Sequence, residues 1–195
     1  MVTILQKDAP ILRQKAKPVP ESMFGTSELA QIVADMKAAI GSQDDAVAIA
    51  APQIGQPYRI FVVAARVFEM LDPENDENEG DEENDEDGDD GAAGKESGAA
   101  AAKTYEDQVF INPEIVKLSR TRKDMEEGCL SVRYLYGQVK RATKARVRAR
   151  DEQGAPFEAG GSGLVAQIFQ HECDHLDGVL FIDKASDLHD APPEK

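Results

Sequence analysis

The stretch His171-Glu172-Cys173-Asp174-His175 constrains this chain more than any other. Its surroundings read as an amphipathic helix, opened by Gly160-Gly161 with Ser162 as a cap and closed by Gly178. Leu164, Ile168, His171 and His175 follow at spacings of four, three and four, so they share one stripe. The two histidines therefore continue the apolar face and point inward. Imidazoles at i and i+4 stand roughly 6 Å apart and can reach one metal ion. Glu172 lies about 100° round the helix, placed to touch a water beside that ion without ligating it. The alternative is two buried structural histidines, each hydrogen-bonded, with the acids merely solvated; HExxH on an amphipathic helix favours the metal reading. Such a helix has to be internal, and the rest of the chain must supply layers to cover it.

Two histidines need at least one further ligand to hold a catalytic metal. Cys129, His189 and many acidic residues are candidates on chemistry alone. His189 sits in a polar tail ending Ala-Pro-Pro-Glu-Lys and reads as solvated. Cys129 lies in Glu126-Glu127-Gly128-Cys129-Leu130-Ser131, a β-like stretch. Cys173 is off the histidine stripe and reads as packing, while Asp174 suits an ion pair or support of a ligand.

Elsewhere the pattern is mixed. Leu29, Ile32, Val33, Met36 and Ile40 fall on one face of an expected helix from Glu28 to about Ile40, with Ser27 as its cap. A turn of helix is expected around Ile11–Lys15. Ala46 to Ile54 is small and apolar, suiting a buried, closely approached segment. Arg59–Ala65, Val109–Pro113 and Ile115–Leu118 read as strands. Lys144–Arg150 alternates Ala145, Val147 and Ala149 with arginines, as a half-buried strand does. Several strands before one long C-terminal helix give an α+β class: antiparallel or mixed sheets packed around a central helix that carries HExxH.

One domain over residues 1–195 is expected, interrupted by an acidic, disordered insertion at about 72–102. Between Asp72 and Asp90 stand 13 acidic residues and no basic one, so removing them takes the net charge from −15 to −2. That segment lacks the apolar side chains to offset its ordering entropy. A loose EF-hand echo, Asn75-x-Glu77-x-Glu79-Gly80 with Glu86, has the wrong first position and Glu82 where a hydrophobe belongs. Direct nucleic-acid binding would need a basic face, and the near-neutral body offers none, so no such binding is expected. No apolar run approaches the ~20 residues that cross a bilayer. Lys7 and Asp8 come too early for a signal peptide, and two cysteines make no disulfide framework, so the cytoplasm is expected.

Three segments together resemble the peptide deformylase family: Ala46-Val-Ala-Ile-Ala-Ala-Pro-Gln53, Glu127-Gly-Cys-Leu-Ser131 and Gln170-His-Glu-Cys-Asp-His175. They match the family's three motifs in order, and Ile4-Leu5, Ile11-Leu12-Arg13, Ile111-Asn112-Pro113 and Leu176-Asp177-Gly178 are also similar to it. The resemblance covers the chain apart from the acidic insertion. It implies that Cys129, His171 and His175 hold one divalent metal, expected as Fe(II) with zinc, nickel or cobalt possible. It implies Glu172 as general base, with the Gln53 amide and the Leu130 backbone N–H as oxyanion donors. Ala46, Ala48 and Ile49 would bind substrate. The implied reaction removes the N-formyl group from formyl-methionyl nascent peptides near the ribosome, releasing formate.

The chain departs from the family where its first motif has Ala46 and Ala48 instead of Gly-x-Gly, and where Val132–Gly137 lacks the proline common after Ser131. Those alanines motivate a competing reading, an impaired deformylase-like protein that binds metal and a peptide terminus without turnover. A structural metal module would need a fourth protein ligand. An HExxH endopeptidase would need a downstream ligand, where only the short C-terminal stretch remains.

Overall fold

The computed structural model describes residues 2–72 and 103–192. The insertion expected at about 72–102, with its EF-hand echo, lies outside the described residues beyond Asp72 at its margin. Five strands form one antiparallel sheet in the order β1 (Ala48–Ala50), β2 (Ile60–Val63), β3 (Gln108–Leu118), β6 (Lys144–Arg150) and β7 (Pro156–Ser162). A second antiparallel sheet has the order β4 (Arg122–Cys129), β5 (Val132–Ala142) and β8 (Ser186–Asp190).

The larger sheet is covered on both faces, which explains why β2 is apolar throughout. Ile60 and Val62 pack under helix α1 (Ser27–Gly41) with Leu29, Val33, Met36 and Ile40. Phe61 and Val63 face the opposite way, onto helix α3 (Gly163–Leu176) with Ala166, Phe169, Cys173 and Leu176. Phe61 stacks on Phe110 at 4.5 Å between ring centroids, and Phe169 meets Phe110 edge-on at 5.3 Å. Phe169 is 1% exposed, so Phe169→Ala would cost about 3–5 kcal/mol through lost burial and the cavity left behind. A third cluster of Leu12, Val132, Val139, Leu180 and Phe181 closes the smaller sheet. The α+β expectation holds, with α3 central; every ladder within the two sheets is antiparallel, and an isolated Lys17–Tyr58 bridge is parallel.

Local departures from the sequence reading have identifiable causes. The cap of α1 is Thr26, whose Oγ1 accepts from the Leu29 N–H, and not Ser27, which is already helical. The strand expected through Ala65 stops at Val63. Asp107, 42 residues on, accepts the Ala65 N–H and starts helix α2 (Ala65–Met70) instead. The two runs at 109–118 are one strand with a bend at Asn112, where φ is 51°. The Asn112 side chain holds that bend by bonding both the N–H and the C=O of Val19. The C-terminal stretch is not merely a tail, since Ser186–Asp190 pairs with β5 as β8. Among the described residues no helix is long and apolar enough to cross a membrane.

Candidate active site

Three elements meet at one cleft of about 230 Å³. Its floor is α3, through Leu164, Ile168, His171 and Glu172. One wall is the segment entering β1, from Asp45 to Ala48. The other is the β4–β5 hairpin, whose two-residue turn Leu130-Ser131 follows Cys129 immediately. In that hairpin Glu127 opposes Gly137 while Cys129 opposes Val132, so β5 carries three extra residues. The surplus bulges out as Arg133–Tyr136, pairs with β8, and puts Tyr134 at φ 64° on the cleft rim.

The helix and the hairpin bring Cys129, His171 and His175 together, with their ligand atoms all within 4.8 Å of one another. Cys129 Sγ is 3.2 Å from His175 Nε2. The two imidazole centroids are 4.9 Å apart. His171 Nδ1 lies 3.0 Å from Glu127 Oε2. An ionised carboxylate only accepts, so Nδ1 carries the proton and Nε2 is left with its lone pair for a ligand. Glu127 is itself fixed by Arg141, whose Nε and Nη2 donate to its two oxygens at 2.6 and 2.9 Å. Arg141 reaches on to Asp174 at 2.7 Å, and Lys184 closes the chain at 2.7 Å from both Asp174 oxygens. Asp174 is thus the ion-pair residue expected, and Cys173 packs in the core as expected.

The electrostatics of these groups suit a cation, since positive charge beside Cys129 favours its thiolate. Burial pushes the Glu127 carboxyl up, but hydrogen bonds from Arg141 and His171 outweigh it and hold the group at about 2. Burial likewise opposes the Cys129 thiolate, yet the His175 charge and hydrogen bonds to both histidines hold the thiol well below its usual range. Burial pushes Glu172 up, the largest influence on that group. Glu172 Oε2 is buried with no hydrogen-bond partner among the described residues. A thiolate and two imidazoles suit a borderline divalent ion, and three protein ligands leave one position of a tetrahedron open. The residues fit a catalytic metal and do not form the closed set of a structural one.

Gln53 is 2% exposed and its amide is oriented at both ends. Oε1 accepts from the Ala50 N–H at 2.8 Å, and Nε2 donates to Ser131 Oγ at 3.1 Å while lying 3.6 Å from Cys129 Sγ. The Leu130 N–H has no acceptor among the described residues, and Leu130 lines the cleft. Ala46 and Ala48 line it too, and neither has positive φ, so alanine costs no backbone strain there. Ile49 does not: successive strand residues face opposite ways, and its side chain is buried under α1. Val47, passed over in the sequence, lines the cleft instead. His189 is exposed and belongs to β8, stacked on Tyr136 at 6.1 Å. Arg141 was also missed; its place beside Glu127 follows from the pairing of β4 and β5, which the sequence alone does not show.

A family model described as polypeptide deformylase matches residues 1–191. The peptide deformylase of Heliobacterium modesticaldum is 34% identical over 193 residues, covering 98% of this chain and 97% of that protein. That of Azotobacter vinelandii is 51% identical over 83 residues, covering 43% of this chain and about half (49%) of the relative's length. Among solved structures, the class I type b peptide deformylase of Acinetobacter baumannii with actinonin bound is 30% identical at a TM-score of 0.71, over 95% of this chain and 99% of that one. Its Met-Ala-Ser-bound form is 29% identical at a TM-score of 0.70, over 94% and 99%. The chain belongs to the polypeptide deformylase family, metal-dependent hydrolases that remove the formyl group from N-terminal methionine.

Proposed function

We propose that this chain performs the family's reaction with Cys129, His171 and His175 as metal ligands, Glu172 as general base, and Gln53 and Leu130 as oxyanion donors. The observation that carries this reading is the convergence of the three ligand atoms within 4.8 Å, beside a buried Glu172 oxygen that has no hydrogen-bond partner among the described residues. A divalent ion held there would polarise the formyl carbonyl and make water acidic enough to ionise near neutral pH. Iron(II) is the ion proposed, with zinc, nickel or cobalt able to substitute.

Glu172, raised by burial, takes the proton of the attacking water and returns it to the α-amine as the C–N bond breaks. The water oxygen ends in formate, and the peptide keeps a free N-terminus. The Gln53 Nε2 and the Leu130 N–H supply donors to the developing oxyanion, and the Ala50 contact fixes Gln53 beforehand so that no reorganisation is needed. Glu127 and Arg141 hold His171 in one tautomer and orientation. The methionyl end is assigned to the cleft over Leu164 and Ile168, and the Met-Ala-Ser complex of the Acinetobacter enzyme supports a peptide as ligand. Ala46, Val47 and Ala48 form the wall along which the peptide backbone runs. A single domain over residues 1–195, acting in the cytoplasm on nascent chains close to the ribosome, completes the proposal.

The test is formate release from formyl-Met-Ala-Ser by protein loaded anaerobically with Fe(II) or reconstituted with Ni(II). Turnover at one ion per chain supports the reading. One tightly held ion per chain with no turnover would refute it in favour of a binding protein.

A further inference from the structure

A second hollow lies beside the cleft, and the two share a boundary. It holds about 250 Å³, between Lys7 and Asp8 of the N-terminal segment, Ser131 and Val132 at the β4–β5 turn, and Asp190 of β8. Arg133 and Leu135 line both this hollow and the cleft, so the bulged start of β5 is a ridge with one cavity on each side. The hollow is also tied to the catalytic side of the ridge. Gln6, in its lining, donates from Nε2 to the Leu130 carbonyl at 3.2 Å.

The ridge is held from two directions. Arg133 reaches across the cleft rim, donating from Nη1 to Asp45 Oδ2 at 2.6 Å and from Nη2 to the Gln43 side-chain oxygen. From the other side the Ala191 N–H donates to the Tyr134 carbonyl at 2.8 Å, and Leu135 pairs with Asp190. A guanidinium carries five N–H groups, and the two bonds to Asp45 and Gln43 engage two of them. The remaining three have no acceptor among the described residues and can meet the carbonyls of a chain that crosses the crest.

The distances suit a peptide. Cys129 and Val132 are direct partners across the hairpin, so their Cα atoms are about 5 Å apart, and Arg133 is one residue, ~3.8 Å, further on. An extended peptide rises about 3.4 Å per residue. A chain whose formyl group stands at Cys129 therefore reaches the ridge at roughly its third residue, and the next few residues fall over the second hollow.

We propose that this hollow is a subsite for the fourth to sixth residues of the peptide substrate, entered over Arg133; the proposal rests on the deformylase reading of the cleft. Lys7, Asp8 and Asp190 are exposed there, and among the described residues none of the three has an ion-pair partner. Groups of both signs suit the alternating N–H and C=O dipoles and polar side chains of an extended peptide. They do not suit a polyanion, which the two carboxylates would repel, and no aromatic side chain lines the hollow to stack on a base or ring.

The experiment compares formyl-Met-Ala-Ser with formyl-Met-Ala-Ser-Ala-Gly-Ser as substrates of the metal-loaded full chain, by formate release. The longer peptide should show a KM at least fivefold lower with kcat within twofold, because contacts far from the formyl group hold substrate and transition state alike. Lys7→Trp and Asp190→Trp each place an indole in the hollow. Either should remove the advantage of the longer peptide while leaving KM and kcat for the three-residue peptide within twofold of the parent, which separates a blocked subsite from a damaged cleft. Arg133→Gln should raise KM for the six-residue peptide more than for the three-residue one. Equal KM values for the two peptides with the parent overturn the proposal and leave the active-site reading standing. An advantage that survives both tryptophan variants overturns it too, as does an Arg133→Gln effect equal on both peptides. No turnover of either peptide overturns the active-site reading and this proposal with it.

Discussion

Glu127→Gln should destabilise the metal-free protein by about 3 kcal/mol at pH 7. The carboxylate is 2% exposed, bonds a 4%-exposed guanidinium through both oxygens, and accepts from His171. Its titration is displaced from 4.5 to about 2, and 2.5 units at 1.36 kcal/mol each is about 3.4 kcal/mol favouring the ionised group in the fold. Independently, removing one partner of a buried ion pair costs about 3–5 kcal/mol. Glutamine keeps the shape and one acceptor for Arg141, which places the effect at the lower end. The folded value lies below the unfolded one, so this stabilisation is full above pH 4.5 and is lost as pH falls from there toward 2. The gap between parent and variant should therefore shrink to about half by pH 3. Urea unfolding followed by far-UV circular dichroism, with metal chelated throughout, measures both. A loss under 1 kcal/mol at pH 7, or a gap that widens on acidification, would refute the reasoning.

Other consequences can be checked as directly. Gln53→Ala should lower kcat about 10²–10³-fold with metal content unchanged, measured by formate release beside metal analysis. A Cβ at Gly128 would stand 2.6 Å from Tyr136 Cε1, so Gly128→Ala should cost about 1–3 kcal/mol in urea unfolding and move the cleft wall. Burial pushes the Cys173 thiol up to about 12 while Cys129 is held low. Iodoacetamide at pH 7.5 should thus alkylate Cys129 alone in metal-stripped protein, and neither cysteine once the ion is restored, as read by peptide mass.

The parts of this molecule that were legible in sequence are those whose signal is local. The α3 stripe needed only helical spacing, and the alternation in Lys144–Arg150 named a strand that the fold reproduces residue for residue. Cys129 came from its motif's resemblance, since nothing in spacing links it to histidines 42 and 46 residues away. What stayed hidden was set by distant partners. The start of α2 depends on Asp107, the bend in β3 on Val19, and the tautomer of His171 on an Arg141–Glu127 pair formed across a bulged hairpin. Ile49 was given to the substrate through the resemblance, and alternation along β1 turns its side chain toward α1 instead.

The central claim is that Glu172 moves the proton at a metal site it does not help to build. The most direct measurement is formate release from formyl-Met-Ala-Ser by parent and Glu172→Gln, each with its metal content determined on the same preparation. The account predicts one ion per chain in both, with kcat reduced at least 10²-fold in the variant. A variant that keeps its metal and turns over within a few-fold of the parent would contradict it.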